Sequence, residues 1–411
     1  MKHRALLLSI PQSPLDPASG AAASERTTCE MLARAGWEVR VVATTASESY
    51  QVIDHRLLLR DMGIEFDTSG AASPERTVLT FSHRGVDYRL LDTGAANIDE
   101  ARRTRTDDLD SLVREEWKED PPGILLTYGS SESEVRRRAE AQRRGSKVVF
   151  SVRNLAYLHP RAFEAVDAII GASRYVSDYY RQHQGVEVKA LPLPISVDDV
   201  VAPFTSPTFV TLINPSPQKG VLFFLRIVQK SLERWPDLPF LVVESRGSAG
   251  MLSSAAGLLG IDLRSLKNLH IARNTPHPSA IYGVTQILLM PSLIEPAGRA
   301  VVEAQLNRIP VVASNRGGLP ETVGSGGHIL RVIADVTQAK EYPEVEAWLD
   351  MLERLRDPGF YAQSSAAAYD ATAPYRSGEV ERGRVAYFHS VLEGASQGIA
   401  PAVSTSAISQ A

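Results

Sequence analysis

The stretch ILLMPSLIEPAGRAVVEAQLNRIPVVASNRGGLPETV, residues 287–323, decides how the chain folds. ILLMPS is an unbroken apolar run closed by Pro291 and Ser292, the pattern of a parallel strand covered on both faces. Residues 296–307 then show helical spacing, with Val301, Val302 and Leu306 on the apolar side. IPVVAS is a second buried strand, and Gly317–Gly318 forms a turn that lets backbone come close to a ligand. In such a unit the helix N-terminus sits at the carboxyl end of the strand, the ligand side of an open α/β sheet. Its free N–H groups and positive dipole end attract phosphate. Gly298 stands where the helix should begin and removes a Cβ from the path of a ligand. Glu295 precedes the helix and Glu303 is expected about two turns into it. One carboxylate can bind sugar hydroxyls at the mouth and the other a ribose, and neither contact needs a metal. The plainer alternative is an acidic first turn that complements the dipole, with Glu303 solvated.

Composition sets the limits around this unit. The chain has 411 residues, 44% hydrophobic and 22% charged, enough for two or three globular domains. A formal net charge of −4 argues against a general nucleic-acid binder. The single cysteine, Cys29, excludes an internal disulfide and a multi-cysteine metal cage, and it reads as a small buried hydrophobe. Residues 1–12, MKHRALLLSIPQ, have too short an apolar core for a signal peptide and read as a first core strand. A cytoplasmic location is expected.

Strands and helices alternate through both halves. RALLLSI opens the first half, and a Pro- and Ser-rich loop follows. Residues 25–35 then read as a helix, and residues 38–44 as a strand. No G-x-G-x-x-G follows the first strand, so a standard dinucleotide site is not expected. GILLTYG, KVVFSV and DAIIGAS are further buried strands. Between the first two lies a helix with Arg136, Arg137, Arg138, Arg143 and Arg144. It reads as a solvated face balanced by Glu132, Glu134 and Glu140 rather than as a membrane contact. Residues 196–207 are polar and Pro-interrupted, which marks a linker. TFVTLINP, PFLVVES and NLHIAR bring the second half up to residue 287. The expected domains are 1–195 and 208–376, two doubly wound α/β units with parallel sheets facing a central cleft. Residues 395–411 are small and polar and are expected to be disordered.

The pattern P-S-x-x-E-P-x-G-x-x-x-x-E-A, then P-V-V-A-S and G-G-L-P-E, resembles the donor-site signature of family 4 of the retaining glycosyltransferases. The resemblance is strong over residues 287–323 and looser over 1–45, 120–195 and 208–250. It implies the GT-B fold, with an acceptor domain first, a nucleotide-sugar donor domain second, and a helix near 377–394 crossing back to the first. It also implies that Glu295 holds donor-sugar hydroxyls and Glu303 the nucleotide ribose. Backbone at Pro296, Ala297 and Gly298 would meet the diphosphate, with Arg299 in reach. Gly20 would be the counterpart of the family's Gly-rich loop; a simple turn before a helix explains it equally.

Two positions depart from the family. Members resemble G-R-x-x-x-x-K-G after the first strand of the donor domain; here Lys219 matches the lysine, but Asn214 takes the arginine's place. Arg246, after PFLVVES on the same sheet edge, is expected to supply the missing charge. Members also resemble T-V-H-N-L near the reacting sugar, where this chain has Arg153 and Asn154; His159 lies close by. The implied reaction is transfer with retention and front-side attack, assisted by cations and a helix dipole rather than a metal. The implied partners are a nucleotide sugar, most plausibly UDP-linked, and an acceptor that the sequence does not identify; no cofactor is implied. Two other readings stay open: a sugar-nucleotide epimerase of the same fold, and a binding protein that kept the donor site without turnover.

Overall fold

A computed structural model describes residues 4–48, 53–69, 76–94, 96–118, 121–338 and 341–394. The expected tail, 395–411, lies outside them. Among the described residues the first sheet has nine strands. They are β1 (Ala5–Ser9), β2 (Glu38–Thr44), β3 (Asp67–Ser69), β4 (Val78–His83), β5 (Val86–Leu91), β6 (Ile124–Thr127), β7 (Lys147–Val152), β8 (Ala168–Gly171) and β9 (Lys189–Ala190). Their order is β3-β4-β5-β2-β1-β6-β7-β8-β9. From β5 to β9 the neighbours run parallel, but β3–β4 and β4–β5 are antiparallel. Arg84 and Gly85, which join β4 to β5, both have positive φ, 51° and 77°. That is the two-residue turn whose twist suits a hairpin, so this edge departs from the all-parallel expectation.

The second sheet is parallel throughout: β10 (Phe209–Ile213), β11 (Phe240–Val243), β12 (Leu269–Ala272), β13 (Thr285–Met290), β14 (Val311–Ser314) and β15 (Gly327–Leu330). The order β12-β11-β10-β13-β14-β15 reverses direction between β10 and β13. In the first sheet, β5-β2-β1-β6-β7-β8 repeats that arrangement, reversing between β1 and β6. Ligands of open α/β sheets bind at such reversal points, beyond the carboxyl ends of the strands.

Burial explains the strands. Every residue of β1, β6, β11 and β14 is buried, as their continuous apolar sequence requires of strands covered on both faces. The final helix, Glu379–Glu393, sets Phe388, Val391 and Leu392 into the core formed by β1, β2 and β6. Arg34 pairs with Glu381 at 2.9 Å on its outer side.

Three local expectations are corrected. The helix expected at 296–307 spans Arg299–Leu306. Gly298 has φ 90°, a left-handed conformation that no helical residue adopts, so Glu303 lies about one turn into the helix rather than two. The helix expected to begin at Glu25 begins at Gly20, capped by the Ser19 side chain on Ala22 N–H. The basic helix, Glu132–Arg143, is not a wholly solvated face. Arg137 is buried and pairs with Asp110 at 2.6 Å. Arg138 is fully buried, donates to the carbonyls of Gly129 and Glu164, and stacks on Phe150. Both hold the helix to the sheet by contacts distant in sequence.

One pH effect follows from the core. His55 is buried with its Nε2 at 2.7 Å from Ser13 Oγ, and burial lowers its pKa below 6.5. Burial likewise lowers His83 and His328. The unfolded chain then takes up protons that the folded chain refuses, so stability falls as pH drops through 6.5. Denaturation midpoints measured from about pH 7.5 to about pH 5 should decline, and His55→Gln should flatten part of that slope.

Candidate active site between the domains

The loops after β10 and β13 meet at the second sheet's reversal point. Gly220 has φ 77°, and a Cβ there would fall 2.0 Å from the Pro291 carbonyl oxygen. Only glycine lets these two loops pass so closely. Leu293 N–H also donates to the Gln218 carbonyl at 2.9 Å. The result brings Lys219 and Glu295 into an ion pair. Both line a cleft of about 930 Å³ whose walls come from both domains.

The Glu295–Gly298 segment is fixed from behind. Gly318 N–H donates to the Glu295 carbonyl at 2.8 Å, and a Cβ at Gly317 would sit 2.1 Å from that same oxygen. Pro296, Ala297, Gly298, Arg299 and Ala300 all line the cleft, and no side chain caps the Arg299–Leu306 helix. An uncapped helix start offers N–H groups and a positive dipole end to an anion.

Glu303 is held on both oxygens. Arg299 Nε pairs with Oε1 at 2.6 Å, and the Tyr282 hydroxyl donates to Oε2 at 2.6 Å. Tyr282 is fully buried, and burial beside Glu303 keeps its hydroxyl protonated well above the usual range. Arg299 also reaches the first domain, donating to the Pro194 carbonyl at 2.7 Å and to Ser24 Oγ at 3.3 Å. Gly20, at the start of the Gly20–Arg34 helix, faces it: a Cβ there would lie 3.8 Å from Arg299 Cδ. Two helix N-termini therefore converge on one cleft.

The remaining expected residues take distinct positions. Asn214 has φ 70° and uses its carboxamide oxygen to accept from Gly247 N–H at 2.7 Å. It holds the Arg246–Gly247 turn rather than replacing a charge. Arg246 lies in the cleft, half exposed, 3.5 Å from Glu48 of the first domain. Around it Ser245 donates to the Ala18 carbonyl at 3.0 Å and Asn274 to the Pro17 carbonyl at 2.9 Å. Arg153 lines the cleft with its Nε donating to Glu25 at 2.7 Å. Asn154 makes a local turn by accepting from Ala156 N–H at 2.9 Å. His159 caps the turn at Pro160–Phe163 and does not line this cleft. Among the described residues no group of three or more His, Cys, Asp or Glu side chains converges as metal ligands do.

The segment expected as a linker is anchored. The short helix Val197–Val200 offers its Val200 carbonyl to Asn307 Nδ2 at 2.9 Å, and Asp199 pairs with Arg84. Sequence reading missed Tyr282, Glu25 and Ser173. Only Ser173, a Ser directly before RYVSDYY, carried a signal, that of a helix cap.

Comparison with known proteins agrees with this geometry. Residues 206–344 match the family described as Glycosyl transferases group 1. The D-inositol 3-phosphate glycosyltransferase of Corynebacterium aurimucosum is 34% identical over 149 residues, 34% of this chain and 32% of that protein. The match thus spans about a third of that curated relative's length. A glycosyltransferase from Rickettsia africae superposes with a TM-score of 0.66 at 14% identity, covering 96% of this chain and 100% of that one. HepE of Anabaena, solved in complex with UDP and glucose, gives a TM-score of 0.62 at 14% identity, covering 93% and 99%. At such identities the structures show a shared fold. The chain has the GT-B fold of these solved glycosyltransferases, and its residues 206–344 match the Glycosyl transferases group 1 family.

Proposed function

We propose that the chain is a retaining glycosyltransferase that moves a sugar from a UDP-linked donor to an acceptor held by first-domain loops, without a metal. The observation that carries this reading is the Lys219–Glu295 pair beside the uncapped Gly298 helix start, at the reversal point of the second sheet. The complex of HepE with UDP and glucose supports UDP-glucose as the first donor to try. In the reaction, the bond between the anomeric carbon and the leaving phosphate oxygen breaks. The acceptor hydroxyl oxygen bonds to the same face, and its proton passes to the leaving phosphate. Lys219, Arg246 and the helix N–H groups meet the charge that develops on the diphosphate. Glu295 orients the sugar, and Glu303, held by Tyr282 and Arg299, binds the ribose.

The test is an assay of UDP release from UDP-sugars with mixed acceptors, read with the anomeric configuration of the product. Transfer with retention, unchanged by a chelator, is expected. Inversion, loss with chelator, or binding without turnover overturns the reading; sugar isomerisation without an acceptor replaces it with the epimerase. Lys219→Ala should weaken UDP binding about tenfold to a hundredfold by calorimetry, the range of a charge-assisted contact. It also leaves Glu295 unpaired beside the diphosphate, which pushes the effect upward. Unchanged affinity would place Lys219 outside the donor site.

A further inference from the structure

The sugar-gripping loop is held partly by the other domain. Ser173, two residues past β8 in the first domain, donates its hydroxyl to the Pro296 carbonyl at 2.6 Å. That carbonyl belongs to the residue after Glu295, whose own carbonyl is held by Gly318 N–H. The fit is tight: a Cβ at Gly318 would meet the Pro296 carbonyl oxygen at 2.3 Å and Ser173 Oγ at 3.0 Å. So the peptide carrying Glu295 is trapped between its own domain's glycine turn and one first-domain hydroxyl.

A second contact lies beside it. Glu321, from the helix Leu319–Val323 just past the glycine turn, accepts from Arg174 N–H at 2.9 Å and approaches Tyr175 N–H at 3.4 Å. These are the first N–H groups of the first-domain helix Arg174–Gln184. Ser173 caps the third of that turn, accepting from Val176 N–H at 3.2 Å. The helix start is thus completed by a carboxylate from the opposite domain, which its dipole favours. Neither Ser173 nor Glu321 lines the cleft.

We propose that Ser173 and Glu321 are positioning residues: they set the Glu295–Pro296 peptide in its working geometry only when the two domains are closed. This rests on the transfer reading above. When the domains part, Ser173 leaves Pro296 and Glu321 leaves the helix start, and the loop keeps only its glycine turn. Donor binding through Lys219, Arg299 and Glu303 persists, while the sugar loses its fixed orientation. A displacement of about 1 Å at such a loop costs on the order of a hundredfold in rate.

The variants separate the latch from the cap. Ser173→Asp keeps an N-cap acceptor but brings no hydrogen for Pro296; Ser173→Thr keeps both. Ser173→Asp and Glu321→Ala should lower kcat by about tenfold to a hundredfold. Affinity for UDP by calorimetry should stay within about twofold, and Ser173→Thr should restore kcat. Spin labels at the exposed Arg143 and Arg264 report the interdomain distance whether or not turnover occurs. With UDP bound, the distribution should be narrow in the wild type and broader in Glu321→Ala. Wild-type kcat in Ser173→Asp, equal impairment in Ser173→Thr, or an unchanged distance distribution in Glu321→Ala overturns the proposal. An absence of transfer by the wild type sinks the activity reading instead, and the distance measurement still decides the latch.

Discussion

Glu295→Gln should lower kcat/KM about a hundredfold, close to 2.7 kcal/mol of lost transition-state stabilisation. Glu295 is 7% exposed and sits at the cleft mouth with its carboxylate on Lys219. The amide keeps the shape but drops the charge, so the hydrogen bond to a sugar hydroxyl weakens where the transition state needs it. Folding should change little. Lys219 keeps access to water, and losing a partly solvated pair costs about 1 kcal/mol or less. The informative feature is a split in binding. Lys219 pairs with Glu295; without that acid its ammonium is free for the diphosphate. UDP affinity should therefore hold or tighten in Glu295→Gln, while Lys219→Ala loses it. Calorimetry with UDP beside single-turnover transfer separates the two. Full transfer by Glu295→Gln would remove the sugar-orienting role.

What sequence could and could not reveal divides along contact distance. β13, β14 and the turn Gly317–Gly318 were legible because each signal is local: an apolar run, then residues that allow close backbone approach. Gly298 marks the helix start correctly, but the helical spacing extends the helix back to residue 296, three residues too far. Helical spacing alone did not show that Gly298 takes a left-handed conformation. The place of Lys219 in the cleft is legible because it follows a strand and precedes glycine. Asn214 was not, since its carboxamide goes to Gly247, 33 residues on. Arg138 looked like one charge of a solvated run, and only its carbonyl partners on other loops explain its burial. Local sequence around Glu303 does not reveal Tyr282, which reaches it from a helix 21 residues earlier. The interdomain contacts at Ser173 and Glu321 had no sequence signature, because neither residue type is unusual at a helix start or in an acidic turn.

The second large effect concerns stability. Glu25 is fully buried inside the first helix, pairs with Arg153 and opposes the charge of Arg384 at longer range. Arg153 donates to it at 2.7 Å, and Arg384 arrives on the final helix with 3% of its surface exposed. Arg384 Nη2 donates to the Pro192 carbonyl at 2.6 Å, while its Nε and Nη1 make no hydrogen bond among the described residues. Burial, reinforced by Arg153, pushes the Arg384 guanidinium down to about 9, with Glu25 opposing. Removing the acid leaves the buried Arg384 and the cleft-wall Arg153 without their counter-charge, the costly way to break a buried ion pair. Glu25→Gln should therefore destabilise by about 3–5 kcal/mol. Arg384→Met removes the less well-satisfied cation and keeps the Glu25–Arg153 pair, so it should lie within about 1 kcal/mol of wild type, or above it. The double variant should recover part of the Glu25→Gln loss, because the sites share one charge balance and are not additive. Urea midpoints of the three proteins measure this directly. Equal losses in Glu25→Gln and Arg384→Met, with no recovery in the double variant, would show that the two act through packing. Arg153 lies between this cluster and the cleft, so Glu25→Gln should also disturb the first-domain wall where the acceptor is proposed to sit.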